Sequence, residues 1–404
     1  MIAPFAAALR DPLLRVAFLC ILLFGPAGAS IGPFQSVIGI ERLELSNEVY
    51  AVVVTVGALF SVIASLIVGI LLDRTQNYRN TLLLCVVVGI CAGILMGAWP
   101  GVASFLAVHL LLFPLASTTF TQYFTLAAVA TERNPLLDKD IGLSLIRAAF
   151  AGTFAVSPPL WGIALARGVD LLSVYWVIAL INGIIFVVIL VMWPSDSEPE
   201  VKEGSGLTFF EALKELAAKH LLLRLGLIST VSSAVGLFGI LLGLLVVTTL
   251  GGQESDIGWF AGGVAAVELP VMLVSALLLK RFARLQVILA GTVIYAFSIA
   301  MLAVMPSMQA AWWLIVPFGI GAGIILSVPV GYTQSLLEHR PVAGSALISM
   351  SHFGGMMIAS AIFAVFSEVF GYSGVALAGA GFSLAAAVML YVIDGPKSKA
   401  QLTA

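Results

Sequence analysis

Twelve times along this chain a run of mostly apolar residues is closed by a short polar stretch. The runs lie at roughly 13–40, 49–72, 82–99, 102–130, 141–166, 171–193, 221–250, 257–279, 286–305, 310–337, 344–369 and 373–393. A helix rises about 1.5 Å per residue, so about twenty apolar residues cross the ~30 Å hydrocarbon layer of a bilayer. A water-soluble fold cannot hide so many: 61% of the 404 residues are hydrophobic and 10% are charged, with a mean hydropathy of +1.11. The pattern predicts an all-α membrane protein of twelve transmembrane helices. The first run follows Arg10-Asp11-Pro12 and is too long for a cleavable signal peptide.

What the chain lacks narrows its function. Cys20, Cys85 and Cys91 all lie inside apolar runs, without the spacing of a metal site or a disulfide framework. No zinc spacing, phosphate loop or nucleophile elbow occurs, so neither an enzyme nor a cofactor or metal is expected. The net charge is −2 and no basic tract invites nucleic acid.

The charges that remain are sorted by side. Connections after even-numbered runs, with both ends of the chain, hold sixteen of the nineteen Lys and Arg residues. The opposite connections hold only Arg42 and Arg167, and Arg147 lies inside a run. The positive-inside rule then puts both termini in the cytoplasm of a cell whose inner membrane the chain crosses. Trp99, Trp161, Trp176, Trp259, Trp312 and Trp313 fall near the outer ends of runs, where an aromatic belt is expected.

The longest connection, 194–220, separates residues 1–193 from 221–404, with six runs on each side. In it Thr208 precedes Glu211 by three residues, a capping-box spacing, and Phe209, Leu213 and Leu216 follow at helical intervals. This predicts either an amphipathic helix on the cytoplasmic membrane surface or an early start to the seventh run. The halves echo each other at an offset of 203–209 residues: Arg15 with Arg224, Asp73-Arg74 with Lys280-Arg281, Pro114 with Pro317. Such a repeat places a substrate site at the midplane, between halves.

Gly69-Ile70-Leu71-Leu72-Asp73-Arg74 closes the second run. A helix ends on the negative pole of its dipole, so Asp73 is badly placed for its own helix and wants a positive partner elsewhere. Gly69, one turn back on the same face, would let a second helix come close. The stretch reads as a latch in which Asp73 meets the start of the eleventh run near Gly344-Ser345, or more plainly as a solvated loop with anchoring charges. Gly69-x-x-x-Asp73-Arg74 resembles the signature loop between helices 2 and 3 of the major facilitator superfamily of transporters. The resemblance implies two pseudo-symmetric six-helix bundles rocking around a central site.

Few residues inside the runs carry chemistry. Glu268, in Ala265-Ala266-Val267-Glu268-Leu269-Pro270, lies near the middle of the eighth run. An ionised carboxylate at bilayer depth is expensive and usually marks a cavity or a proton path. The alternative is a neutral carboxyl bonded to a neighbouring helix. Pro270 would kink the helix and free a carbonyl nearby. Arg147 lies roughly 9 Å into the fifth run. It either snorkels to the cytoplasm or faces a cavity, binding substrate oxygens or a carboxylate. His352 and His109 are candidate titrating groups, though lone histidines more often serve structure. Gln35, Gln122, Tyr123, Asn182, Tyr332 and Gln334 offer the donors and acceptors that sugar hydroxyls need. Bonds between helices would use the same atoms.

Two further stretches carry resemblance. Ser157-Pro158-Pro159-Leu160-Trp161-Gly162 resembles the Gly-Pro signature in helix 5 of superfamily exporters. Arg147-Ala148, Glu268-Leu269-Pro270, Lys280-Arg281-Phe282 and Gln334 ahead of Gly344 together resemble the bacterial sugar efflux branch. That branch implies export of small sugars or glycosides against proton entry. Ser229-Thr230-Val231-Ser232-Ser233 lacks the Asn and Asp associated with it, which keeps a multidrug or other small-molecule exporter as the second expectation. The expected partners are a sugar or drug-like solute, protons and the lipid bilayer. The protein is expected to act as a monomer. Glu268, Arg147 and His352 are expected to couple protons, and Gly69, Asp73 and Arg74 to form the latch.

Overall fold

A computed structural model describes residues 10–75, 77–133, 139–194, 219–336 and 341–400. The helices are α1 (Pro12–Ile31), α2 (Asn47–Thr75), α3 (Tyr78–Ala98), α4 (Val102–Ala107, continuing through Phe113–Arg133), α5 (Lys139–Ala166) and α6 (Ser173–Met192). After the linker come α7 (Lys219–Leu244), α8 (Glu254–Leu278), α9 (Arg284–Val304) and α10 (Ile315–Ser335). The stretch Pro341–Ala400 holds two more helices, α11 and α12, divided at Gly371, whose φ of 63° lies in the left-handed region that glycine tolerates. The twelve helices are those that the apolar runs predict, six on either side of the linker. The amphipathic helix expected at 208–219 falls almost wholly outside the described residues.

Local chemistry explains the ends. Asp11 caps α1: its Oδ1 accepts from Leu13 N and Leu14 N at 3.0 Å each. Pro12 fills the first helical position, where no N–H is needed. Glu254 and Asp256 sit in the first turn of α8, where the helix dipole favours negative charge. Asp256 Oδ2 also accepts from Gln253 N at 2.7 Å. The first helix of each half leaves the bilayer through a wide π turn, Val37–Arg42 after α1 and Leu245–Thr249 after α7. The repeat read from the sequence thus extends to backbone geometry.

The helices sort into two compact units: residues 1–34 with 56–205, and residues 35–55 with 206–404. The first has its core where α1, α3, α4 and α6 meet, around Cys20, Phe24, Cys85 and Tyr123. In the second, Phe238, Phe260, Tyr295 and Phe318 pack as one aromatic cluster, with Tyr295 and Phe318 edge to face at 5.3 Å. Large apolar side chains stay uncovered on many helices, Leu273 at 81% and Val191 at 76%. On a water-soluble chain such surface would associate; here it is the lipid face.

The tryptophans depart from expectation at one place. Trp99, Trp176, Trp259 and Trp313 are exposed, but Trp161 is buried and its indole N–H donates to Ser30 Oγ at 2.7 Å. A buried indole needs an acceptor, and α1 supplies one, so Trp161 ties α5 to α1 instead of joining the interfacial belt.

Candidate functional site

In the first unit the polar residues gather on α4. Threonine and glutamine recur at Thr118, Thr119, Thr121, Gln122 and Thr125, giving this helix one polar flank. Gln122 and Tyr123 are almost completely buried. The Gln122 amide nitrogen reaches Thr118 Oγ1 at 3.3 Å and Cys85 Sγ on α3 at 3.5 Å. Among the described residues its oxygen, Oε1, has no hydrogen-bond partner. Buried acceptors are seldom left so, which marks this flank as a place that can receive a donor. Tyr123 turns to α1, its ring 5.9 Å from that of Phe24 and edge-on to it. Asn182 lies over Gly89: a Cβ on that glycine would come within 2.7 Å of the amide oxygen. Its nitrogen donates to Ile178 O at 2.9 Å, so the amide works between α6 and α3.

His109 is buried near the start of α4, its Nε2 2.9 Å from the Tyr175 hydroxyl on α6. The π turn Val108–Leu112 surrounds it. It is a satisfied structural histidine.

In the second unit Glu268 stands half-buried on α8, which continues through Pro270 to Leu278. Gly323 of α10 admits α8 here: a Cβ on it would lie 2.8 Å from the Glu268 carbonyl oxygen. Among the described residues no hydrogen bond or ion pair engages the Glu268 carboxylate. Gln35 is half-buried after α1, and His352 is exposed on α11.

Tyr332 behaves differently from expectation. Its hydroxyl donates to Asp394 Oδ2 at 2.7 Å. That carboxylate also grips Arg224, with Nε to Oδ2 at 2.6 Å and Nη2 to Oδ1 at 2.7 Å. Tyr332 therefore spends its donor on a three-helix network of α7, α10 and α12, because a carboxylate held among apolar helices needs every donor within reach. Asp394 is a residue that sequence reasoning missed. Its signal was a lone acid at the end of an apolar run, which demands a counter-charge. Arg15, the repeat partner of Arg224, is exposed.

The latch is only partly in view. A Cβ on Gly69 would meet nothing within 4 Å among the described residues, so the close helix contact expected there is not seen. The side chains of Asp73, Arg74, Arg147 and Gln334 lie outside the described set, though all four residues are helical.

Ten stretches of the described residues are long and apolar enough to cross a membrane, the last of them running through both α11 and α12, and isolated polar groups lie along them, as in a membrane transporter. The profile of the Major Facilitator Superfamily matches residues 17–346 and 227–404, and the chain belongs to that superfamily. It is 25% identical to a "Putative sugar efflux transporter" of Deinococcus radiodurans over 385 residues, 94% of this chain and 97% of the other. It is 24% identical to "Sugar efflux transporter A" of Escherichia coli, covering 88% of this chain and 90% of that one. Among solved structures it is similar in fold to the nucleoside transporter NupG, with a TM-score of 0.77 at 13% identity over 94% of this chain and 98% of that one. The human organic anion transporter MFSD10 follows with a TM-score of 0.62 at 14% identity, covering 94% and 99%.

Proposed function

We propose that this protein exports small sugars or glycosides across the inner membrane in exchange for protons, by alternating access, as a monomer with both termini in the cytoplasm. The observation that carries this reading is end-to-end similarity to proteins named sugar efflux transporters, covering at least 88% of this chain in the two relatives described. The sorting of sixteen cationic residues to one side of the membrane supports the orientation. Glu268 supplies the proton site. It lies at membrane depth with no cation paired to it among the described residues, so carrying a proton relieves its charge. Arg147 and His352 are the groups that would respond to its state. Gln35, Gln122, Tyr123 and Gln334 would read the sugar hydroxyls, and Asp73 with Gly69 and Arg74 would hold the cytoplasmic side closed.

The test is sugar flux in proteoliposomes under an imposed pH gradient, wild type beside Glu268→Gln. Wild type should move sugar against its gradient when the pH gradient is applied. Glu268→Gln should keep exchange of sugar for sugar and lose the gradient-driven component. Equal gradient-driven flux in both would remove Glu268 from coupling. Transport of apolar cations with no sugar movement would favour the multidrug alternative instead.

A further inference from the structure

Lys280, Arg281 and Arg284 stand close together in sequence, at the turn from α8 to α9 in the second unit. The turn is tightly wound. Lys280 N donates to Leu277 O at 3.2 Å, and Arg281 N and Phe282 N donate to Leu278 O at 3.0 and 2.9 Å. Ala283 N donates to Gln286 Oε1 at 3.1 Å, which fixes the start of α9. Two other arginines of this unit are paired with acids, Arg42 with Glu254 and Arg224 with Asp394. Lys280 and Arg281 are exposed, and among the described residues no acid pairs with either.

Arg284 is held differently. It is half-buried, and its Nη1 donates to Gly331 O on α10 at 2.8 Å. A Cβ on Gly331 would lie 3.3 Å from the guanidinium carbon, 3.4 Å from Nη2 and 3.5 Å from Nε. Three atoms at nearly one distance mean that the guanidinium lies flat over the glycine. The other edge of the group, Nε with Nη2, has no acceptor among the described residues, and Nε is buried. Arg224 uses that same edge to grip both oxygens of Asp394. Such a fork matches a carboxylate or a phosphate. The first turn of α9 contains no acid, so the positive end of its dipole adds to the field of the three cations. An anion at this turn relieves them all. The surface beside it indicates what carries that anion. Leu273, Val274 and Leu277, on the last turns of α8, are exposed, and so is Phe282 in the turn itself. Leu273, Leu277 and Arg281 follow at intervals of one helical turn, so a single strip runs from lipid-facing carbon to cation.

We propose that the α8–α9 turn binds one anionic phospholipid, with its phosphate at Lys280, Arg281 and the Nε–Nη2 edge of Arg284 and its acyl chains along Leu273, Val274 and Leu277. Basic pockets between transmembrane helices take acidic headgroups in this way. A zwitterionic lipid offers the same chains and phosphate but brings a cation of its own, which this turn repels. The bound lipid braces α8 and α9 against α10, because Arg284 joins the turn to Gly331. The site does not depend on which solute the protein carries.

Native mass spectrometry of the full chain in detergent, with phosphatidylglycerol or phosphatidylcholine titrated in, counts bound lipids and gives their dissociation constants. Each cation near an anionic lipid surface contributes about fivefold in affinity. Wild type should therefore bind one phosphatidylglycerol at least about tenfold more tightly than phosphatidylcholine. The double variant Lys280→Gln/Arg281→Gln changes two exposed side chains outside the contact with α10, so it should fold and should weaken phosphatidylglycerol binding by about 25-fold. Arg284→Lys keeps the charge and loses the fork, and should weaken binding as well. Arg10→Gln/Arg15→Gln removes two exposed cations elsewhere on the same side of the membrane, and should leave binding unchanged. Inorganic phosphate in excess should not displace the lipid. No preference for phosphatidylglycerol, unchanged affinity in either turn variant, an equal loss in the Arg10/Arg15 variant, or displacement by phosphate alone would each overturn the proposal. The measurement contains no sugar, so a failure to export sugar would leave its outcome standing.

Discussion

Arg224 and Asp394, 170 positions apart in sequence, meet in a two-pronged ion pair with Nε–Oδ2 at 2.6 Å and Nη2–Oδ1 at 2.7 Å. The side chains are only 16% and 12% exposed, so both charges have given up most of their water. Such a pair adds little net stability as a whole, because desolvation offsets the attraction. Its consequence is positional: α7 and α12 can close at this end in only one register, with α10 held by Tyr332.

Removing one partner is a different matter from removing both. Asp394→Asn leaves a desolvated guanidinium facing an amide, and should cost about 2–4 kcal/mol, near the scale of a broken buried pair. Tyr332→Phe removes one charge-assisted bond and should cost about 1–3 kcal/mol. Thermal unfolding in detergent, followed by tryptophan fluorescence, gives both values. If Tyr332→Phe instead left stability unchanged and altered sugar selectivity, its hydroxyl would belong to the substrate and not to this network.

Gly323 sets how near α10 comes to α8 beside Glu268. An added methyl would lie 2.8 Å from both the Glu268 carbonyl oxygen and Val271 Cβ. Neither neighbour is a flexible chain end, so Gly323→Ala should push the helices apart and cost about 1–3 kcal/mol through overpacking. Gradient-driven flux per folded molecule should fall with it, because Glu268 moves with its backbone. Gly239 on α7 is the control, since a methyl there meets nothing within 4 Å. Gly239→Ala should be neutral or stabilising by up to about 1 kcal/mol, following helix propensity. Equal melting temperatures for the two variants would show that α8 and α10 yield freely.

The helices and their order were legible because membrane crossing requires a long apolar run, and length alone reveals one. Rotation about each helix axis was not. A helix that is apolar all round shows no preferred face, so nothing in the sequence told whether Trp161 looks at lipid or at Ser30. Nor could spacing reveal that Tyr332 looks at Asp394, or that Asn182 lies over Gly89. Long-range ion pairs escaped for a related reason: Arg42 and Arg224 were visible as charges near helix ends, but their partners lie on helices whose neighbours the chain order does not specify. Glu268 was legible because a carboxylate at mid-run has no cheap explanation.

Gln122 offers the sharpest separation of structural from substrate-reading polar groups. Its amide nitrogen has two partners, a hydroxyl at a long 3.3 Å and a weakly accepting sulfur at 3.5 Å, while its oxygen has none among the described residues. An unmet buried acceptor costs free energy in the empty protein, so replacing it with a similar apolar shape should do little harm. Gln122→Leu is therefore expected to leave the melting temperature unchanged, or raise stability by up to about 1 kcal/mol. A sugar hydroxyl arriving as donor would find nothing to bond in that variant. Binding should weaken by about 1–3 kcal/mol, which is about five- to 150-fold in the dissociation constant. Titration calorimetry with the transported sugar, beside thermal unfolding of the same samples, reads both quantities. A stable variant with weakened binding places Gln122 in the sugar site. A destabilised variant with unchanged sugar affinity would make the amide a bond between α4 and α3, and would pass the role of reading the sugar to Gln35 and Gln334.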